Sequence, residues 1–184
     1  MILQHAELDK LLTLWRDKIG SDWQAYRNHT YRLLNYVNEK LPGLSHEDLD
    51  LVAIAAAYHD VGIWLDKTFD YLEPSSIRAQ SYLKSAAKYP ADVLEEKQQL
   101  VNDMVMNHHR VRPVAGGKLS LVNVFRQADW CDVSFGRLRY GLPKKKVQAI
   151  QKAFPDAGFH LLLVKLAVVN AAQHPFNPLP MMRW

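Results

Sequence analysis

Leu51-Val52-Ala53-Ile54-Ala55-Ala56-Ala57-Tyr58-His59-Asp60 is the stretch on which the reading of this chain turns. It falls in a helix predicted from Glu47 to about Asp60. Ser45 and Asp48 ahead of it resemble a capping box, with Asp in place of the usual Glu, and Gly62 is placed to end it. A helix that is apolar nearly all round is a buried helix. His59 and Asp60 are then buried too, or line a cavity. A carboxylate near a helix C-terminus opposes the helix dipole, and a buried one is costly unless it is paired or metal-bound. Something cationic is therefore expected beside Asp60. An arginine partner, with His59 as an ordinary core histidine, would satisfy this as well as a metal ion would.

Outward from this stretch the pattern stays helical. Leu8, Leu11, Leu12 and Trp15 recur at helical spacing between Glu7 and Ile19, and Gly20 stops that run. Ser21 or Asp22 can cap a helix from about Trp23 to Lys40, which ends at Pro42-Gly43. Beyond the central stretch comes a loop of aromatic and acidic residues, Ile63 to Glu73. Pro74 then suits the start of a helix to Lys88. Pro90 breaks it, and Asp92 can cap the next helix, to about His109. Pro113 and Gly116-Gly117 mark a loop. Leu119 to about Val133 reads as helix, although Val122 and Val124 would also suit a strand. Pro143 opens another helix, and a last one runs from about Phe159 to Gln173. Pro175, Pro178 and Pro180 predict an extended tail over 175–184. Many helices joined by short loops, with no recurring strand pattern, predict an all-α bundle.

The 184 residues suffice for one domain with a sizeable core, taken as 1–184. Apolar residues make up 48% and charged ones 23%, which excludes wholesale disorder. The single cysteine, Cys131, excludes a disulfide framework and a cysteine-rich zinc site. The N-terminal residues lack a basic n-region, and the longest apolar stretch, Phe159 to Ala172, is interrupted and too short to span a bilayer. A cytoplasmic protein without a membrane partner is expected. The net charge of +4 suits phosphorylated small molecules. The basic stretch Arg137, Arg139, Lys144, Lys145, Lys146 lacks interleaved aromatics and reads as a solvated face rather than a nucleic-acid surface.

Three further positions bear on His59-Asp60. His29 lies mid-helix, His108-His109 closes the helix before Pro113, and Asp129 lies in Arg126-Gln127-Ala128-Asp129-Trp130-Cys131-Asp132. Facing helices can bring such side chains together as a metal site. The set resembles the HD-domain superfamily of metal-dependent phosphohydrolases, whose pattern is a His, then a His-Asp pair, then a distant Asp on successive helices. Here these are His29, His59-Asp60 and Asp129, separated by 30 and 69 residues. The string Tyr58-His59-Asp60-Val61-Gly62-Ile63-Trp64 looks like the family's central motif, and the resemblance covers about 26–132.

The resemblance implies that His29, His59, Asp60 and Asp129 hold one divalent transition metal. A mixed N/O set suits Mn, Fe, Co, Ni or Zn without selecting among them. It implies hydrolysis of a small phosphate ester or nucleotide by metal-activated water. Dinuclear members carry a further histidine where this chain has Arg78-Ala79-Gln80, which favours a single metal. His108 or His109 would then touch substrate or protonate a leaving group, the alternative being a helix-end role. Some nucleotidase members carry a Glu three residues after the motif Asp, and hydrolases of guanosine tetraphosphate a Glu-Asp pair just after it. This chain has Ile63-Trp64, so neither specific activity is implied.

Asp66 is the nearest following carboxylate, read either as a general acid or base or as a solvated loop residue paired with Lys67. Phosphate needs cations, and Arg110, Arg112, Lys67 and Arg78 are the candidates, against the ordinary reading of each as a surface charge. Asp132, one helical turn past Asp129, could orient a ligand or pair with Arg126 or Arg137. Two further readings remain beside the hydrolase: a di-iron oxygenase of the same fold, motivated by His108-His109, and a non-catalytic module binding a nucleotide or protein. The tail Met181-Met182-Arg183-Trp184 would pack on its own domain or on a second subunit, which leaves a homo-oligomer open.

Overall fold

In the computed structural model, which describes residues 1–114 and 120–182, helix is the only regular structure among the described residues. The central element is α4 (His46–Tyr58). Its N-cap behaves as the sequence suggests: the Asp48 N–H donates to Ser45 Oγ at 3.0 Å, and the Ser45 hydroxyl donates to the Asp48 carboxylate at 2.7 Å. Every residue from Leu51 to Tyr58 is buried. Leu51, Val52 and Ile54 have no exposed surface, and each such side chain contributes about 1.5–3 kcal/mol.

The reason α4 is apolar on all sides lies in its neighbours. It packs against α1 (Ala6–Leu14), α3 (Trp23–Lys40), α6 (Leu72–Ser85) and α7 (Ala91–Asn107). A second layer follows: α8 (Leu121–Val133) lies on α3 and α7, and α9 (Lys144–Ala153) lies on α3. The Val122 and Val124 segment is helix, capped by Ser120. A last helix, α10 (Phe159–Gln173), is anchored at its N-terminal end by fully buried Phe159.

Several local expectations are corrected. The Glu7–Ile19 helix breaks at Trp15, which turns its ring into the core at 4.7 Å from Tyr58; α2 (Arg16–Ile19) follows. Asp22 makes no cap hydrogen bond and instead accepts one from Trp64 Nε1 at 3.0 Å. Gly62 does not simply end α4 but opens a short helix, α5 (Gly62–Leu65). A β-carbon there would lie 3.0 Å from Tyr71 Cβ and 3.1 Å from Ser75 Oγ, so only glycine lets α5 press against the start of α6. Its N–H donates to Ser75 Oγ at 3.0 Å.

The tail is also corrected. Over its described part, 175–182, it is a series of turns rather than extended chain. Met181 is buried against Ile63, Tyr71 and Leu72, because folding back removes apolar surface that an extended tail would leave in water. Gly116, Gly117, Leu119, Arg183 and Trp184 lie outside the described residues. No described helix is long and apolar enough to cross a membrane.

Candidate metal centre

Four helices deliver six polar side chains to the middle of this apolar core. His29 comes from α3, His59-Asp60 from the end of α4, His108-His109 from the end of α7, and Asp129 from α8. All are buried except His109, whose side chain is 14% exposed. The structure thus brings His29, His59, Asp60 and Asp129 together, and adds both histidines of the 108–109 pair. Three overlapping groups lie within ligating range of one another: His29, His59 and Asp129; His59, Asp60 and His108; His108, His109 and Asp129.

The local structure fixes how the imidazoles point. His59 and His108 each cap the C-terminus of their helix, and each donates from Nδ1 to the carbonyl three residues back: Ala56 at 2.8 Å and Val105 at 2.6 Å. His29 Nδ1 faces the Asp132 carboxylate at 2.7 Å. In all three rings, Nδ1 is taken up by an acceptor outside the cluster. The proton therefore sits on Nδ1, and the Nε2 lone pair faces inward. His29 Nε2 and His59 Nε2 stand 2.9 Å apart, a contact that is repulsive unless positive charge lies between them.

The carboxylates repeat the pattern. Asp60 Oδ2 lies 3.2 Å from His59 Nε2, and Asp60 Oδ1 lies 3.3 Å from His108 Nε2. Asp129 Oδ1 lies 3.6 Å from His29 Nε2 and 4.0 Å from His59 Nε2. Asp60 Oδ1, His108 Nε2 and both oxygens of Asp129 are buried without a hydrogen-bond partner. Orphaned acceptors of this kind each cost about 1–3 kcal/mol. Ligands in adjacent positions on an ion with bonds of about 2.1 Å stand roughly 3.0–3.4 Å apart. The observed separations bracket that spacing, so the donor set fits a cation.

Charge follows from burial. Burial drives His29 down to about 4, against the opposing pull of Asp132. Asp129 is pushed up to about 8 by burial. His109 is held well below its usual value by burial and by His108, so in the metal-free protein it is a neutral imidazole. That direction runs against its use as an imidazolium donor.

Sequence reasoning missed several supporting groups. The Tyr71 hydroxyl is hydrogen-bonded to His109 Nε2 at 2.8 Å, and burial holds that phenol well above its usual range. Tyr71 lay in the aromatic loop already noted, and nothing in its spacing tied it to His109. Tyr26 donates to the Ala57 carbonyl at 2.8 Å and stacks on His59. Phe159 stacks on His29 with centroids 4.0 Å apart.

The remaining expected residues lie elsewhere or at the margin. Asp66 is paired with Arg78 rather than with Lys67. Arg78 Nε and Nη2 each donate to its carboxylate at 2.8 Å, in a surface cleft also lined by Trp15, Tyr58 and Tyr82. Lys67 is exposed and lines a different cleft, of about 570 Å³, with Ile63, Phe69, Leu166 and His174. Arg112 is exposed. Arg110 directly follows His109, and its carbonyl accepts hydrogen bonds from Arg126 Nη1 at 3.0 Å and Trp130 Nε1 at 3.2 Å. Arg137, Lys144, Lys145 and Lys146 are exposed. Comparison with family models, curated proteins and solved structures finds no match to this chain.

Proposed function

We propose that this chain is a metal-dependent phosphohydrolase of the HD type, acting on a small phosphate ester or nucleotide. The observation that carries the reading is the convergence of inward-facing Nε2 lone pairs and orphaned carboxylate oxygens from four helices in one buried cluster. The ordered resemblance of His29, His59-Asp60 and Asp129 to the HD pattern supports the reaction class. A metal held by these four residues would polarise a phosphoryl oxygen and make its bound water a nucleophile near neutral pH.

The chain's own residues account for the rest of the proposal. Asp60 and Asp129 supply the anionic charge that a divalent ion needs in a buried site. His109, hydrogen-bonded to Tyr71 and the least buried member of the cluster, is the side chain of the cluster that an incoming substrate would meet first. Ile63 lines the cleft that holds Lys67, and it packs in one cluster with Tyr71, whose hydroxyl is bonded to His109. That cleft is the proposed approach for substrate, with Lys67 meeting the phosphate. Arg78, already engaged by Asp66, takes no part in this reading.

A second reading has its own observation. His108, His109 and Asp129 form a further group that shares Asp129 with the first, so the cluster offers donors for two ions. A di-iron oxygenase would use them in that way. The test is metal content by plasma mass spectrometry on protein purified without added metal, beside Asp60→Ala, followed by a phosphate-ester screen with and without chelator. One transition metal per chain, lost in the variant, with chelator-sensitive hydrolysis, is expected. Two irons and oxygen consumption without hydrolysis would favour the oxygenase. A chain that takes up no metal, yet binds a nucleotide regardless of chelator, would overturn both enzymatic readings.

A further inference from the structure

Asp132 and Arg32 are a buried ion pair that the proposed chemistry does not use. Arg32 is the largest fully buried side chain of the described residues. Its Nε donates to Asp132 Oδ1 at 2.6 Å, and its Nη2 donates to Asp132 Oδ2 at 2.8 Å. Its Nη1 donates to the Phe154 and Pro155 carbonyls, at 3.0 and 3.1 Å, where α9 ends. The guanidinium is thus held from both sides. Asp132 in turn accepts from His29 Nδ1, and its backbone carbonyl accepts from His160 Nε2 at 2.9 Å. His160 is tied to Asp156 through its other nitrogen.

A buried ion pair contributes little net stability against a well-packed apolar pair of similar volume. Its place in the core therefore calls for another reason. The geometry supplies one, because the Asp132 carboxylate that takes two of the guanidinium's bonds also accepts from His29 Nδ1. We infer that Arg32 and Asp132 are positioning residues: the guanidinium fixes the Asp132 carboxylate, and the carboxylate fixes His29 in the Nδ1–H tautomer. His29 Nε2 is thereby held as a bare donor aimed at His59 and Asp129. Phe159, stacked on the ring's face, and His160, on the Asp132 carbonyl, lock the same arrangement from the first turn of α10. An outer carboxylate that holds a ligating imidazole is generally worth 10–100-fold in metal affinity.

Only the metal readout below rests on the proposed function. The tautomer readout does not. Mn(II) affinity would be measured by calorimetry for wild type, Asp132→Asn, Arg32→Lys and the double variant Arg32→Met/Asp132→Asn. The double variant leaves no unpaired buried charge and so keeps the test open where a single variant fails to fold. Long-range ¹H–¹⁵N spectra of the metal-free proteins would read the His29 tautomer. The expected result is a Kd raised about 10–100-fold in Asp132→Asn and in the double variant, a smaller rise in Arg32→Lys, and a wild-type Nδ1–H tautomer that becomes mixed in the double variant. A folded variant with wild-type affinity and an unchanged tautomer would overturn the inference and leave the metal centre standing. If wild type bound no Mn(II), Fe(II), Co(II), Ni(II) or Zn(II), the proposed function would fall, and the tautomer shift alone would decide the positioning role.

Discussion

Replacing Asp129 by Asn should make the metal-free protein more stable while abolishing its response to metal. Asp129 is buried on α8 with neither carboxylate oxygen hydrogen-bonded. Burial pushes its pKa up to about 8, from 3.8 in the unfolded chain. An acid with a raised folded pKa keeps a proton that the unfolded chain releases, so stability falls as pH rises from 3.8 towards 8. From pH 3.8 to pH 7 the loss amounts to at most about 4 kcal/mol, at 1.36 kcal/mol per pH unit. The amide remains as unpartnered as the carboxyl it replaces, which keeps the gain below that bound. We expect a gain of about 2 kcal/mol, which for a chain of this length raises Tm by roughly 4–8 °C. The assay is urea and thermal unfolding followed by circular dichroism at pH 7 in chelator, repeated with Mn(II). Wild type should gain stability with metal and the variant should not. A variant less stable than wild type in chelator would refute the reasoning, because it would mean that Asp129 has a structural partner worth more than its desolvation.

Metal-free wild type should lose stability between pH 6.5 and 8, by no more than about 2 kcal/mol. His29, lowered to about 4, adds stability as pH rises from 4 to 6.5 and adds nothing further above it, whereas Asp129 acts up to about 8. A flat profile there would contradict the Asp129 shift, and bound metal should flatten the profile by keeping Asp129 ionised. Gly62→Ala drives a β-carbon against Tyr71 Cβ at 3.0 Å and the Tyr71 carbonyl at 3.1 Å, neither of which can swing away. Urea unfolding should show a loss of about 1–3 kcal/mol, as in other overpacked cores. Asp66→Asn breaks an exposed pair with Arg78 and should cost at most about 1 kcal/mol, with metal content unchanged. On an ester that wild type cleaves, a loss of about a hundredfold or more would instead restore Asp66 as the general acid or base.

The sequence by itself determined the helices. Apolar spacing, the Ser45 cap and the prolines act over one or two turns, and such local forces can be read from neighbours in the chain. The continuous run Leu51–Tyr58 also determined that α4 is central, since only a helix covered on all sides can be apolar all round. The break at Trp15, the second helix opened by Gly62 and the folded tail were not legible. Each is decided by a surface distant in sequence: Tyr58 for Trp15, Tyr71 and Ser75 for Gly62, Ile63 and Leu72 for Met181. The site divides the same way. His29, His59-Asp60, His108-His109 and Asp129 stood out because polar groups on apolar helix faces need a reason. Only the tertiary structure decided that Asp66 spends its charge on Arg78, and that Asp132 holds His29 while Arg32 holds Asp132. Such partnerships depend on which helix faces meet, and contacts between residues 12 to 103 positions apart leave no local trace.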